Sequence, residues 1–149
     1  MALAISTVAH SISGLTVAGL VIKDKHDVPA GGDPRQPLLI PLTQYVSDFT
    51  MERDSFGGGS VAKMTVTYTL NYRFLYKPVG TGRENILEVF SAMVDMVALI
   101  WDAVLAIDVI AGAIDIIPIS PVGMGVVEDP SAMPYWGCDL SFQVMEFVN

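Results

Sequence analysis

Charged residues are scarce in this chain. They make up only 16% of its 149 residues, whereas 52% are hydrophobic, and an average protein is about 25% charged. So apolar a composition excludes intrinsic disorder, and the length fits a single domain over residues 1–149. A small domain has a large surface, and too few charges are available here to cover it. We therefore expect part of the apolar surface to be covered by neighbouring copies of the chain.

Positive charge and cysteine are scarcer still. The chain has 8 Lys and Arg against 16 Asp and Glu, a formal charge of −8 at pH 7, and no cation follows Arg83. Because a phosphate-binding surface needs clustered Lys and Arg, this balance argues against tight or sequence-specific nucleic-acid binding. The single cysteine, Cys138, cannot form an internal disulfide and is typical of a reducing compartment.

An uninterrupted hydrophobic span is also missing. The most apolar stretch, 86–117, is interrupted by Glu88, Asp95, Asp102, Asp108 and Asp115. Each acid at a bilayer centre costs about 2.5–3.5 kcal/mol, so no membrane span is predicted. The apolar residues before Lys23 include no Lys or Arg, so a signal peptide, which starts with basic residues, is not predicted either.

Residue sets that carry chemistry are absent. The two histidines, His10 and His26, have no partners at metal-ligand or nucleophile-relay spacing, and no G-x-S-x-G motif occurs. The residues 80–82 (GTG) precede a helix but lack the third glycine of a phosphate loop. We therefore predict no enzyme, no metal and no cofactor, with Cys138 packed in the core and the tyrosines of 68–76 buried rather than stacked on bases.

A long β-hairpin is the clearest feature that is present. From residue 62 to 76 the even positions are apolar, and the odd positions from 63 to 73 are polar, the pattern of a strand with one buried face. Residues 45–54 precede a glycine-rich turn and are predicted to pair with that strand so that partner numbers sum to 115. The predicted pairs are Phe49–Val66, Met51–Met64, Tyr45–Leu70, Thr50–Thr65 and Glu52–Lys63.

A helix with a narrow acidic side follows the hairpin. The sequence 81–84 (TGRE) is a capping box, and helical periodicity continues to about residue 106. Its polar positions fall near one line of the helix, so we expect an acidic stripe, with the rest buried on the sheet and on another subunit. The stripe consists of Glu84, Glu88, Ser91, Asp95 and Asp102.

The remaining segments complete an α+β fold. We predict a short N-terminal helix with Ile5, Val8, Ile12 and Leu15 on its apolar side and Gly14 at its end. A strand at 15–22, a surface loop at 23–37, a short edge strand at 38–42, strands at 107–120 and 122–127 and a final strand at 138–144 follow. The predicted fold is a mixed, mostly antiparallel sheet with a long β-hairpin, packed against one main helix and the short N-terminal helix.

Nearly the whole chain resembles the tail terminator proteins of phages with long, non-contractile tails. The resemblance rests on the N-terminal helix and strand, the helix after Thr81, and the segments 37–41 (PLLIP), 68–76 (YTLNYRFLY), 126–130 (VVEDP) and 135–144 (YWGCDLSFQV). Neck connector proteins that join head to tail, and other tail-tube components, have a similar size and layout and remain alternatives.

The resemblance implies a structural virion protein. Such a protein forms a ring, a homohexamer by analogy, that caps the head-proximal end of the tail tube and ends its polymerisation. It then docks to the neck or head-completion protein. The implied partners are further copies of the chain, the major tail tube protein and the neck, with assembly in the host cytoplasm.

DNA would only pass through the lumen of such a ring, which an acidic lining would favour. The family offers no catalytic residues. The candidate lumen and interface residues are Asp48, Glu52, Asp54 and Lys63 on the hairpin and Glu84, Glu88, Asp95 and Asp102 on the helix.

Overall fold

The computed structural model of the chain describes residues 3–23, 37–53, 64–80, 86–107, 114–121 and 123–148. These residues form two helices, each followed by three strands, and the predicted α+β class is confirmed. The elements are α1 (Ile5–Ser13), β1 (Val21–Ile22), β2 (Leu38–Arg53), β3 (Met64–Pro78), α2 (Ile86–Leu105), β4 (Ile114–Ile119), β5 (Gly125–Glu128) and β6 (Pro134–Val148).

The strands form one sheet in the order β1-β2-β3-β6-β4, and β5 pairs with β6 beyond the end of β4. All neighbours are antiparallel except β1 and β2. The long strands β3 and β6 lie at the centre, which the near-continuous pairing from Met64↔Val148 to Pro78↔Tyr135 reflects. The centre of the sheet is therefore formed by β3 and β6, the two strands whose sequences alternate most clearly between apolar and polar residues.

Side-chain alternation places the core on one face of the sheet. The even-numbered residues of β3 from Val66 to Phe74 and of β6 from Cys138 to Val144 are buried, and Val8 and Ile12 of α1 pack on the same cluster. We call this side the helix-bearing face and the opposite side the helix-free face. The predicted burial of the tyrosines is confirmed for Tyr68 and Tyr72, whereas Tyr76 is only partly buried.

The predicted hairpin is confirmed, but its register is wrong. Near the tip Met51 pairs with Val66 and Glu52 with Thr65, two residues away from the prediction. Irregularities between Pro41 and Val46 and between Ser47 and Thr50 insert extra residues into β2. At the tip, a shift of two residues keeps each side chain on the same face, so the matching of apolar and polar partners could not reveal it. Farther from the tip, Leu70 pairs with Val46 and not with the predicted Tyr45, a difference of one residue.

The short edge strand predicted at 38–42 is wrong in two respects. It continues into the hairpin strand as one element of 16 residues, and its first residues Leu38 and Leu39 lie between β1 and β3. Proline removes only an N–H donor. The carbonyl of Pro37 still accepts a hydrogen bond of 2.9 Å from the Val21 N–H, which holds β1 along β2.

Most other elements differ from the prediction only in length. α1 buries Val8 and Ile12 as expected, and the Gly14 N–H bonds to the His10 carbonyl at its end. β1 is shorter than predicted, because the chain turns near Gly19 with a φ of 78°. β4 covers 114–119 of the strand predicted at 107–120, of which residues 108–113 lie outside the described residues. β6 is longer than predicted, and α2 ends at Leu105, close to the predicted 106. The capping box at 81–84 and loop residues 24–36, with His26, lie outside the described residues.

Candidate assembly surfaces

One face of α2 is buried on the sheet. Val89, Met93, Val97, Ile100 and Val104 recur at intervals of three and four residues, and each is at most 7% exposed. Val97, Ile100 and Val104 belong to the same cluster as the even-numbered residues of β3 and β6. This spacing anchors the helix and fixes which residues point away from the sheet.

The predicted acidic stripe on α2 is exposed. Glu88, Asp95 and Asp102 are spaced by seven residues, so they lie close to one line along the helix, and Ser91 is exposed beside them. The fourth predicted acid, Glu84, lies outside the described residues. The stripe therefore presents at least three carboxylates to solvent in a single chain.

An apolar row runs beside this stripe. Leu87, Val94 and Leu105 are 82%, 51% and 59% exposed. With three other positions they follow the alternating four- and three-residue spacing of a coiled-coil seam. We call these six positions the α2 seam. They are Leu87, Val94, Ala98 and Leu105, with Ser91, which also belongs to the acidic stripe, and Trp101, which is partly buried against the core. A single chain therefore does not bury all the apolar positions of the helix, and their coverage by a second subunit stays a prediction.

A second uncovered apolar surface lies near the tip of the β2–β3 hairpin. Phe49 and Met51 are 45% and 47% exposed. Met51 pairs with buried Val66, and the Phe49 ring stacks on Tyr68 at a centroid distance of 6.0 Å, so both lie on the helix-bearing face. Arg53 is exposed and continues the row, because it pairs with Met64. We call Phe49, Met51 and Arg53 the hairpin row.

The predicted acids on the hairpin do not join the acidic stripe. Asp48 and Glu52 are both exposed. Glu52 pairs with Thr65, which places it on the helix-free face, across the sheet from α2. Asp48 has a φ of 51° at the irregular part of β2. Asp54 and Lys63 lie outside the described residues. Glu52 and the acids of α2 thus lie on opposite sides of the sheet.

The helix-free face carries a polar network on its central strands. Arg73 donates two hydrogen bonds to the Asp139 carboxylate, at 2.7 and 3.1 Å, and one to the Glu128 carbonyl. The hydrogen bonds to the Asp139 carboxylate, helped by the negative charges of Asp139 and Glu128, raise the pKa of Arg73 although its partial burial opposes this. Asn71 donates to the Ser47 hydroxyl and accepts from the Ser141 hydroxyl. The network joins β2, β3 and β6 side by side and stiffens the centre of the sheet.

Two buried acids escaped the sequence analysis. Glu146 is 3% exposed and accepts a hydrogen bond of 2.6 Å from the Ala4 N–H at the start of α1. Its other oxygen and the Tyr68 hydroxyl have no hydrogen-bond partner among the described residues. The period-2 pattern of 138–144, extended by two residues, would have placed Glu146 inside.

The second buried acid organises a turn. Asp129 is 5% exposed, and one carboxylate oxygen accepts bonds from the Ser131 N–H, the Ser131 hydroxyl and the Met133 N–H. Its sequence signal is the turn-forming run 129–131 (DPS), in which an Asp side chain bonds to the backbone two residues on. Both acids therefore have structural roles.

The buried phenols and thiol are unsuited to acid–base chemistry. Tyr45 and Tyr72 share a hydrogen bond through their hydroxyls, and burial raises the pKa of each. Burial, helped by the Glu146 carboxylate, raises the pKa of Tyr68 as well. Cys138 is 1% exposed, as predicted, and burial raises its pKa to about 11, which leaves the thiol protonated and unreactive at neutral pH.

Concave surfaces offer little further chemistry. A cavity of ≈ 460 Å³ lies between the ends of β4 and β5 and is lined by residues such as Met124, Val126 and Ser141. Another of ≈ 430 Å³ lies between α1 and β2 and is lined by exposed His10 and by Lys23 and Tyr45. Among the residues that the structure describes, no three His, Cys, Asp or Glu side chains are grouped closely enough to hold a metal ion.

Comparisons with known proteins leave the family open. No protein-family model matches the chain, and no curated protein shows significant similarity to it. Within the described residues, neither helix combines the length and hydropathy that crossing a bilayer requires. The features that stand out are therefore the α2 seam, the hairpin row and the two acidic sets.

Proposed function

We propose that this chain is a structural virion protein whose copies form a ring, hexameric by analogy with phage tail terminators. The ring caps the head-proximal end of a phage tail tube, ends tube polymerisation and provides the docking surface for the neck. The observation that carries the proposal is the presence of two different uncovered apolar surfaces, the α2 seam and the hairpin row, on one small chain.

Two different surfaces on one chain favour a closed ring over a two-fold dimer. A two-fold contact uses the same patch on both partners, whereas a head-to-tail contact joins two different patches and closes into a ring when the rotation allows it. Leu87 is 82% exposed. Burying such a side chain against a neighbouring subunit is favourable, and a small domain with few charged residues has few other ways to cover it.

The charge balance supports a conduit for DNA. A lumen that attracted phosphate would retain the genome during ejection, and a net charge of −8 opposes such attraction. Asp48 and Glu52 on the hairpin, or Glu88, Asp95 and Asp102 on α2, are exposed and able to line it. Because Glu52 and α2 lie on opposite sides of the sheet, only one set faces the lumen in a given ring.

Light scattering and electron microscopy test the proposal directly. We expect the purified protein to form rings, alone or when mixed with tail tubes assembled from the major tube protein, and to sit at one end of each tube. Tubes grown in its presence should stop elongating. Rings that bind the filled head but leave tube growth unchanged would favour a neck connector instead. A chain that stays monomeric with and without tubes would overturn the proposal.

A further inference from the structure

The hairpin row and the α2 seam have complementary chemistry. Phe49 and Met51 are apolar and Arg53 is cationic, and all three are exposed on one face. The seam offers Leu87 and Val94, and the acidic stripe runs along its side at every seventh residue. We propose that the hairpin row of one copy docks on the α2 seam of the next, with Arg53 against Asp95. This inference rests on the proposed ring and names its subunit contact.

The hairpin row matches the N-terminal part of the α2 seam in length. From Phe49 to Arg53 the strand advances about 13 Å, at about 3.3 Å per residue. From Leu87 to Asp95 the helix advances about 12 Å, at about 1.5 Å per residue. Phe49 beside Leu87 therefore places Met51 beside Ser91 and Arg53 beside Asp95.

Charge argues against the simplest alternative, in which two copies of α2 pack on each other. In coiled-coil notation Leu87 and Val94 occupy d positions, so Glu88, Asp95 and Asp102 all occupy e positions. An antiparallel pair of such helices would bring the two e rows together and place carboxylate against carboxylate, which destabilises the contact. The partner that suits this seam carries a cation beside its apolar residues, and Arg53 meets that requirement.

The contact joins different patches on the two copies, so every subunit of a closed ring uses both its hairpin row and its α2 seam. It also leaves Glu52 free, because that side chain lies on the other face of β2. Glu52, on the helix-free face, then remains available to the lumen.

A charge swap tests the contact. Arg53→Glu and Asp95→Arg should each raise the dissociation constant of the ring by about 10-fold, because each places like charges together. The double variant Arg53→Glu/Asp95→Arg should recover most of that loss. Glu52→Arg, with the same charge change as Asp95→Arg, is the matched control and should assemble as the parent does. Two single variants that assemble normally, or a double variant without recovery, would overturn the contact.

Cysteine cross-linking gives an independent answer, because the native Cys138 is only 1% exposed. Under mild oxidation Met51→Cys/Ser91→Cys should form a ladder of disulfide-linked copies, whereas Thr50→Cys/Ser91→Cys should not, since Thr50 lies on the other face. If the single variant Ser91→Cys forms disulfide-linked dimers, the α2 helices of two copies pack on each other, and the proposed contact is wrong. Rings seen by light scattering without a ladder would overturn this contact and leave the ring standing. If no oligomer forms even when tail tubes are present, both the proposed contact and the proposed ring are overturned.

Discussion

The carboxylate of Glu146 accepts a hydrogen bond from the backbone N–H of Ala4, 142 residues earlier in the chain, at 2.6 Å. Ala4 precedes α1 and supplies no side-chain cap of its own. The bond therefore places a negative charge at the positive end of the helix and ties α1 to β6. A short amphipathic helix is marginal by itself, so this link and the burial of Val8 and Ile12 hold it on the sheet.

Removing this carboxylate should loosen α1 before the rest of the fold. We expect Glu146→Ala to lower the free energy of unfolding by about 2 kcal/mol, the range for a buried hydrogen bond to a charged group. Glu146→Gln keeps an oxygen acceptor and should lose less. Urea denaturation measures the loss of unfolding free energy. Hydrogen exchange of the Glu146→Ala variant should be faster than that of the parent in α1, with little change in β3. Unchanged protection of α1 in Glu146→Ala would contradict this role.

Gly137 should tolerate no side chain. A Cβ there would lie 1.9 Å from the Phe74 carbonyl oxygen and 2.9 Å from a Val127 methyl group. We expect Gly137→Ala to cost about 3 kcal/mol, because the backbone of β3 would have to move. A Cβ on its cross-strand partner Gly125 would meet no atom within 4 Å, so Gly125→Ala is the matched control and should change the melting temperature little. Equal effects of the two substitutions in thermal denaturation would refute the explanation.

Cys138 should make stability fall at alkaline pH. Burial raises its pKa to about 11 from an ordinary value of 9.0. Below pH 9 the thiol is protonated in both states, and between pH 9 and 11 the unfolded chain alone loses the proton, so the folded state loses relative stability. The buried tyrosines act in the same direction above pH 10 in parent and variant alike.

The variant Cys138→Ala isolates the contribution of the thiol. It should start less stable than the parent at pH 7, because it leaves a small cavity, and the gap should narrow as the pH rises from 9 to 11. Urea denaturation at several pH values provides the comparison. A gap that stays constant across this range would exclude the thiol as a source of the pH dependence.

Reversing charge on the face proposed to line the lumen should slow genome passage without preventing ring formation. If the hairpin docks as proposed, Asp48→Lys/Glu52→Lys should lower infectivity while particles of normal appearance still assemble, because cations in the channel would hold phosphate. Asp102→Lys, one charge reversal on α2, is the control on the other side of the sheet. Infectivity equal to the parent's in the hairpin variant would remove these acids from the lumen.

Particular elements show why some features could be predicted and others could not. The strict alternation in β3 and β6 identified their buried residues, because a strand side chain has only two faces to choose from. The hairpin register was missed, because the irregularities on either side of Val46 and Ser47 insert extra residues into β2 that the alternation of β3 does not record. The interior position of Leu38 and Leu39 was missed as well, because it depends on β1 returning beside them.

The candidate surfaces likewise include features that could be predicted from the sequence and features that could not. The acidic stripe of α2 could be predicted from the seven-residue spacing of its acids, because residues seven apart lie on the same side of a helix whatever the rest of the fold does. The sequence did not show which other helix positions, such as Val94, remain uncovered. Their exposure depends on how far the sheet extends beneath the helix.

The amino-acid sequence alone determined the α+β class, the two central strands, the helices and the acidic character of the exposed surface, since these follow from periodicity and charge over short stretches. Tertiary structure alone decided that Glu146 holds α1, that Glu52 and Asp95 lie on opposite sides of the sheet, and that Phe49 and Leu87 stay uncovered. These relationships join residues far apart in the chain, and only the packing of the elements brings them together or separates them.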